Sequence, residues 1–234
     1  MRISSYRTWC FDLDGTLLDQ QARYTQIYCA LVTRLGGKPV SDYWSMRKAG
    51  LSELDVFLRS GLSLSNLPAY DHMREEELEN VHYLKFDTPF PNTLRLLEVL
   101  SSLNMAIWVV SHRSSYERLS DQLASLKLNK LIAGCICTKQ YCDSADNTTL
   151  ALSAEGAKVA SRAKARALQK LGDASQIVMV GDSPSDIVAA HLAGVDSIAI
   201  TTGCHPREML EKEGPDLVCS TLQDLLVMIS GTSL

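Results

Sequence analysis

Short apolar runs alternate along the chain with stretches whose apolar residues recur every three or four positions. The runs Thr8–Phe11, Met105–Val110, Leu131–Cys137, Ile177–Val180, Ser197–Ile200 and Leu217–Cys219 read as strands. Several are apolar without alternation, which is the pattern of parallel strands covered on both faces. Between them the helix periods have legible ends. Asn92 opens Thr93–Leu103, Ser114 opens a segment running to about Leu126, and Ser183-Pro184 opens Ser185–Ala193, which Gly194 closes. Thr221 opens Leu222–Ile229 in the same way. Strand–helix alternation of this kind implies right-handed crossovers and an α/β fold, a doubly wound parallel sheet.

One stretch departs from the alternation. From Gln21 to Phe86 only helical periods follow one another. Tyr24, Ile27, Tyr28, Leu31, Val32 and Leu35 keep a three-four spacing that Gly36-Gly37 ends. Further helices fit Asp42–Ala49, Glu53–Arg59 behind Ser52, and about Pro68–Lys85, before Pro89 and Pro91 restore the alternating pattern. The division this predicts is an α/β core of residues 1–20 and 87–234, with an all-helical domain at 21–86 inserted after the first strand.

Composition narrows the class. Of 234 residues, 46% are hydrophobic and 21% charged, which excludes a disordered chain. A formal charge of −4 argues against a general nucleic-acid binder, which needs excess Lys and Arg to displace counterions. The longest strictly apolar run, Met105–Val110, is far short of the ~20 residues of a membrane helix. Met1–Cys10 has no signal-like apolar stretch, and the 7 scattered cysteines include no Cys-x-x-Cys pair. The expectation is a cytoplasmic, monomeric or homodimeric protein with free thiols, without nucleic-acid or membrane partners.

Three strings carry chemistry. In Phe11-Asp12-Leu13-Asp14-Gly15-Thr16-Leu17 an apolar strand runs into two carboxylates two positions apart, which point the same way into the crevice at the strand's C-terminal end. Two like charges there are costly unless a cation lies between them or one is protonated. In Val180-Gly181-Asp182-Ser183-Pro184-Ser185-Asp186 a second strand ends in a carboxylate, with another in the first helical turn. Alone this fits helix capping; beside the first string it completes a magnesium site, since Mg²⁺ takes oxygen ligands and keeps several waters. In Val109-Val110-Ser111-His112 a strand ends in a hydroxyl next to a helix start, a place for a phosphate oxygen.

These strings resemble the haloacid dehalogenase superfamily, in its phosphatase branch with an inserted helical cap, alongside the phosphoglycolate phosphatases and β-phosphoglucomutases. The resemblance implies a Rossmann-like core, dependence on Mg²⁺ and a small phosphorylated metabolite as partner. The implied reaction is hydrolysis of a phosphomonoester, a sugar phosphate or phosphoglycolate-like acid, through an aspartyl-phosphate. Asp12 would be nucleophile and metal ligand. Asp14 would be general acid–base, with a pKa near working pH, and would lend its carbonyl to the metal. Ser111 would hold a phosphoryl oxygen, with His112 beside it, and Asp182 would bind the metal, joined by Asp186 directly or through water.

The family's lysine, which bridges nucleophile and phosphate, has two candidates. Lys158 leaves Val159–Leu171 for the helix that follows, whereas Lys164 leaves only a two-turn helix before Gly172, so the longer spacing favours Lys158. Arg47 and Lys48, between two predicted cap helices, are where related enzymes read the substrate. The alternatives are a phosphomutase of the same branch or a catalytically idle binding module on this scaffold. His72, His82, His191 and His205 read as surface or satisfied core. Trp9, Trp44 and Trp108 read as packing, and Tyr141–Gly156 as a polar loop.

Overall fold

The computed structural model describes residues 3–143 and 150–231. Part of the expected polar loop, 144–149, lies outside the described residues. The sheet is built from β1 (Thr8–Phe11), β4 (Ala106–Ser111), β5 (Gly134–Cys137), β6 (Ile177–Gly181), β7 (Asp196–Ile200) and β8 (Leu217–Cys219). All six run parallel in the order β5-β4-β1-β6-β7-β8. After β1 the chain builds outward on one side through β4 and β5, then crosses back to build the other side through β6, β7 and β8. The order therefore reverses at β1, and the crevice at its C-terminal end is where open α/β sheets bind ligands.

The unalternating apolar strands are explained by the two covered faces. Trp9, Phe11, Ile107, Val109, Val178 and Val180 point into one buried cluster. Helices α6 (Thr93–Ser102), α7 (Tyr116–Ser125) and α11 (Leu222–Gly231) complete that cluster with Leu96, Leu119 and Leu225. The intervening Cys10, Val110, Ile177 and Met179 point the other way, onto α8 (Ala154–Leu168) and α9 (Pro184–Ala193). The short α10 (Arg207–Lys212) packs Leu210 against Ile187 and Ala199.

Between β2 (Leu18–Asp19) and β3 (Thr88–Pro89), an antiparallel pair that no apolar run announces, lie five helices. They are α1 (Gln21–Arg34), α2 (Tyr43–Lys48), α3 (Glu53–Arg59), α4 (Leu67–Leu78) and α5 (Val81–Leu84). Their apolar stripes meet in a separate cluster that includes Ile27, Tyr28, Trp44, Phe57 and Tyr70. Among the described residues no helix is long and apolar enough to cross a membrane.

Several element ends differ from the sequence expectation, and two of them bear on how the insert meets the core. The helical period from Pro68 to Lys85 is broken at Glu79-Asn80, because Asn80 turns its side chain to cap α5 at His82 N. Glu79, at the end of α4, sends its carboxylate across to the core instead. It accepts from Ser114 N and Ser114 Oγ, both at 2.7 Å, and from Ser115 N at 3.0 Å. Ser115, not Ser114, is therefore the N-cap of α7, accepting from Arg118 N. Two more acids one and two turns back on α4 also reach the core: Glu75 pairs with Lys139, and Asp71 accepts from Ala151 N at 2.7 Å.

Glu79→Ala strands the two backbone N–H donors and should lower stability by about 1–3 kcal/mol. In urea the midpoint should fall with an unchanged slope. Glu76→Ala, at an exposed position on the same helix, should leave the midpoint in place.

Candidate active site

The site assembles at the reversal point. Asp12 follows directly from β1, its backbone N–H donating to Val180 O at 2.9 Å, so the chain stays in sheet register one residue beyond the strand. It then turns sharply: Gly15 has φ +91° and donates to Leu18 O at 2.8 Å. Asp182 leaves β6 alongside, and Thr16 Oγ1 donates to its Oδ1 at 3.0 Å. Two glycines make room for this carboxylate. A Cβ on Gly15 would lie 2.3 Å from Asp182 Oδ2, and one on Gly203 1.7 Å from it. The loop carrying Gly203 is tied back by Thr202 Oγ1, which donates to Gly15 O at 2.6 Å.

Asp186 sits in the first turn of α9, where Ser183 N and Ser183 Oγ donate to its Oδ2 at 3.1 and 2.6 Å. Carboxylate oxygens of Asp12, Asp182 and Asp186 all lie within 4.8 Å of one another. From α8, Lys164 donates to Asp12 Oδ1 at 2.6 Å and also to Asp186 Oδ1. Lys164, and not Lys158 as the spacing suggested, therefore stands beside Asp12. Lys158 is on the outer face of α8, its side chain 68% exposed and paired with Glu155 at 3.3 Å. Lys164, 3% exposed, is the residue at Asp12. The cause is the helix register: Ser153 caps α8, so the helix begins well before Lys164, and the lysine projects from its buried face instead of preceding it.

The electrostatics follow from burial. Burial pushes the Asp12 carboxyl up to about 7, although Lys164 opposes the shift. Burial also pushes Asp182 well above the usual carboxylate range, and Asp12 and Asp186 add to it. Burial would lower Lys164, but Asp12 and Asp186 overcome it and raise the ammonium above its ordinary value. Fully ionised, three carboxylates around one lysine would leave two negative charges in excess. That excess, with hard oxygen donors converging within 4.8 Å, fits a divalent cation such as Mg²⁺.

Asp14 behaves differently. Its carboxylate turns away from the triad to Arg23 Nη2 at 2.6 Å and Arg113 Nη2 at 2.7 Å. Burial works to raise it, yet Arg113 and Arg23 hold it well below the usual range, against the expectation of a pKa near working pH. Both arginines belong to a buried network. Arg23 Nε donates to Asp87 Oδ1 at 3.0 Å, and Gln122 links Arg113 Nη1 at 2.6 Å to Asp87 Oδ2 at 2.8 Å. Burial raises Asp87 to about 6, partly offset by Arg23. Sequence reasoning missed this network, although Arg23 lies one helical repeat before Ile27, in register with the apolar stripe of α1.

A cavity of about 620 Å³ opens over these groups; its walls include Asp12, Ser111, Lys164, Asp182, Arg47 and Arg74. Ser111 ends β4 and is buried. His112 also faces the cavity, its Nδ1 2.9 Å from Thr138 Oγ1, and burial with Lys139 and Lys164 lowers it to about 4. Arg47 reaches the cavity from α2, whereas Lys48 is exposed and does not line it. His205, expected at the surface or in the core, lies in the cavity wall with Nδ1 3.2 Å from Asp182 O.

Known proteins resemble this chain in sequence and in fold. The family model described as haloacid dehalogenase-like hydrolase matches residues 6–194. A phosphoglycolate phosphatase of Neisseria meningitidis is 28% identical over 235 residues, covering 92% of this chain and 90% of the relative. Another from Agrobacterium fabrum is 28% identical over 215 residues, covering 89% and 85%. A haloacid dehalogenase-like hydrolase from Streptococcus pneumoniae has the same fold, with a TM-score of 0.73 at 21% identity over 96% of this chain and 99% of that one.

The raised Asp182 carboxyl has a thermodynamic consequence. A carboxyl whose folded pKa exceeds its unfolded value costs stability as pH rises above the unfolded value. With metal chelated at pH 7.5, Asp182→Asn should therefore melt above the wild type, by about 2–4 °C for each kcal/mol relieved. The gap should close as pH falls towards 4. Added Mg²⁺ should raise the melting temperature of the wild type and leave the variant nearly unmoved.

Proposed function

The chain belongs to the haloacid dehalogenase-like hydrolases, and on that premise we propose that it is a Mg²⁺-dependent phosphatase of a small phosphomonoester, working through an aspartyl-phosphate on Asp12. The observation that carries the reading is the buried Lys164 donating to Asp12 at 2.6 Å beside Asp182 and Asp186. A phosphomonoester resists attack because its charges repel nucleophiles, so a catalyst must neutralise charge and hold the reacting atoms in line. A buried cluster with a fixed ammonium and room for a cation suits that task. The names of the relatives at 28% identity point to a phosphoglycolate-like acid, and a sugar phosphate would also fit the cavity.

In the first half-reaction an Asp12 oxygen forms a bond to phosphorus while the bond from phosphorus to the leaving alcohol's oxygen breaks, and the leaving oxygen takes a proton from Asp14. In the second, water gives a proton to Asp14 and attacks the same phosphorus, and the bond to Asp12 breaks to release phosphate. Lys164 stays against Asp12 and the phosphoryl oxygens, and the Ser111 hydroxyl holds another, with His112 beside it. Mg²⁺, held by Asp12, Asp182 and the Asp14 carbonyl, would neutralise charge on the phosphoryl group. Asp186, its oxygens already engaged by Lys164 and Ser183, would add negative charge to the ion's surroundings.

Asp14 bound to two guanidiniums is ionised, the right form for the second half-reaction. To deliver the first proton it must separate from Arg23 and take up a proton from solvent. Residues 21–86 would then serve as a cap over the core of 1–20 and 87–234, and because Arg23 lies on α1, movement of the cap and release of Asp14 go together. Arg47 of the cap faces the leaving group.

A screen of phosphate release from phosphorylated metabolites tests the reading, with and without Mg²⁺ and with Asp12→Asn as the blank. Release that requires both Mg²⁺ and Asp12 is expected; none from any ester overturns the proposal. Lys164→Met should lower kcat by about 10²–10³-fold, while Lys158→Met should turn over like the wild type.

A further inference from the structure

Two cap guanidiniums in the cavity wall have more donors than acceptors. Arg74 of α4 has a side chain only 12% exposed and Arg47 one 15% exposed, and both line the same cavity as Asp12. They share one carboxylate, Glu53 of α3, at 3.8 Å from Arg74 Nε and 3.4 Å from Arg47 Nε. Glu53 is within ion-pair distance of both but accepts a hydrogen bond from neither. Its Oε2 accepts from Tyr43 at 2.6 Å and its Oε1 from Tyr70 at 2.7 Å.

Other partners are few. Glu75 Oε1 lies 3.4 Å from Arg74 Nη1, and the other oxygen of Glu75 is committed to Lys139. Arg47 gives Nη1 to Leu51 O and Nη2 to the sulfur of Cys204 at 3.5 Å, while its buried Nε has no hydrogen-bond partner. A guanidinium carries five N–H donors in a rigid fork matched to a two-oxygen anion. Among the described residues Arg74 uses one of the five, at long range. Its guanidinium lies over the Tyr24 ring, with the guanidinium carbon 5.5 Å from the ring centroid. Two guanidiniums with unused donors therefore line one cavity.

We infer that Arg74, with Arg47, determines specificity by binding a second anionic group, carboxylate or phosphate, on the leaving alcohol of the substrate. Glu53, Tyr43 and Tyr70 hold the pair in place without consuming its donors. The inference rests on the phosphatase reading above and adds a substrate class to it: phosphomonoesters that carry two anionic ends, one transferred at Asp12 and the other gripped by the cap.

The test compares matched esters on the full-length protein with Mg²⁺. One pair is 2-phosphoglycolate against 2-hydroxyethyl phosphate, the other a hexose bisphosphate against its monophosphate. The wild type should prefer the doubly anionic member of one pair, and which pair tells carboxylate from phosphate. In Arg74→Met, which keeps an apolar stem, that preference in kcat/KM should shrink about 10- to 100-fold, mainly through KM. Arg74→Lys, which keeps the charge but not the fork, should give an intermediate ratio and guards against a misfolded Met variant. Arg95→Ala, on the exposed face of α6, should change neither member. A wild type that turns over both members equally, or an Arg74→Met that loses both in proportion, overturns the anion site and leaves the phosphatase reading standing. No turnover of any ester overturns both.

Discussion

Three buried carboxylates crowd the C-terminal end of the sheet, and the ammonium of Lys164 is the counter-charge that keeps them there. Like charges about 4 Å apart repel by roughly 4 kcal/mol at an effective dielectric of 20. Asp12, Asp182 and Asp186 would each add such a repulsion, and the lysine offsets only part of it. The surrounding architecture serves this arrangement. Parallel strands deliver Asp12 and Asp182 side by side, glycines at 15 and 203 leave room for the second carboxylate, and the capping box of α9 fixes Asp186. Charge imbalance of this kind is a poor way to stabilise a fold and a good way to prepare a site for a cation and a phosphoryl group.

Much of this was legible in the chain because strand ends and glycine turns are local events. The two acidic strings each follow an apolar run directly, so their carboxylates had to appear where the sheet stops. The lysine was different. Its placement depends on where α8 starts and which of its faces meets α9, and both are settled by packing across the molecule. Lys158 shares its face with Glu155 and Arg162, whereas Lys164 stands among Ala163, Ala165 and Ala167, small residues that bring the helix close to its neighbours. A lysine surrounded by alanines on a buried face was the signal; spacing counted from the next motif was not.

The arginines repeat the lesson. Arg23 interrupts no pattern, because it occupies a stripe position that apolar side chains otherwise fill, and only its partners Asp14 and Asp87, distant in sequence, explain why a charge is tolerated there. Arg74 lies on a helix with little amphipathic contrast, and its burial comes from the cavity and the Tyr24 ring. Periodicity finds the residues that make a core. It is blind to charges buried by virtue of one another.

Asp71, Glu75 and Glu79 stand one turn apart along a single edge of α4, and each grips a different part of the core: Ala151, Lys139 and the start of α7. A seam stitched this way can be undone one stitch at a time. Each polar contact is worth only about 0.5–3 kcal/mol net, because water can replace it, whereas parting a greasy interface exposes everything at once. The helical insert is thus held along this edge by contacts that water can replace singly, and the Arg23–Asp14 and Arg23–Asp87 pairs tie it to the core at a second place.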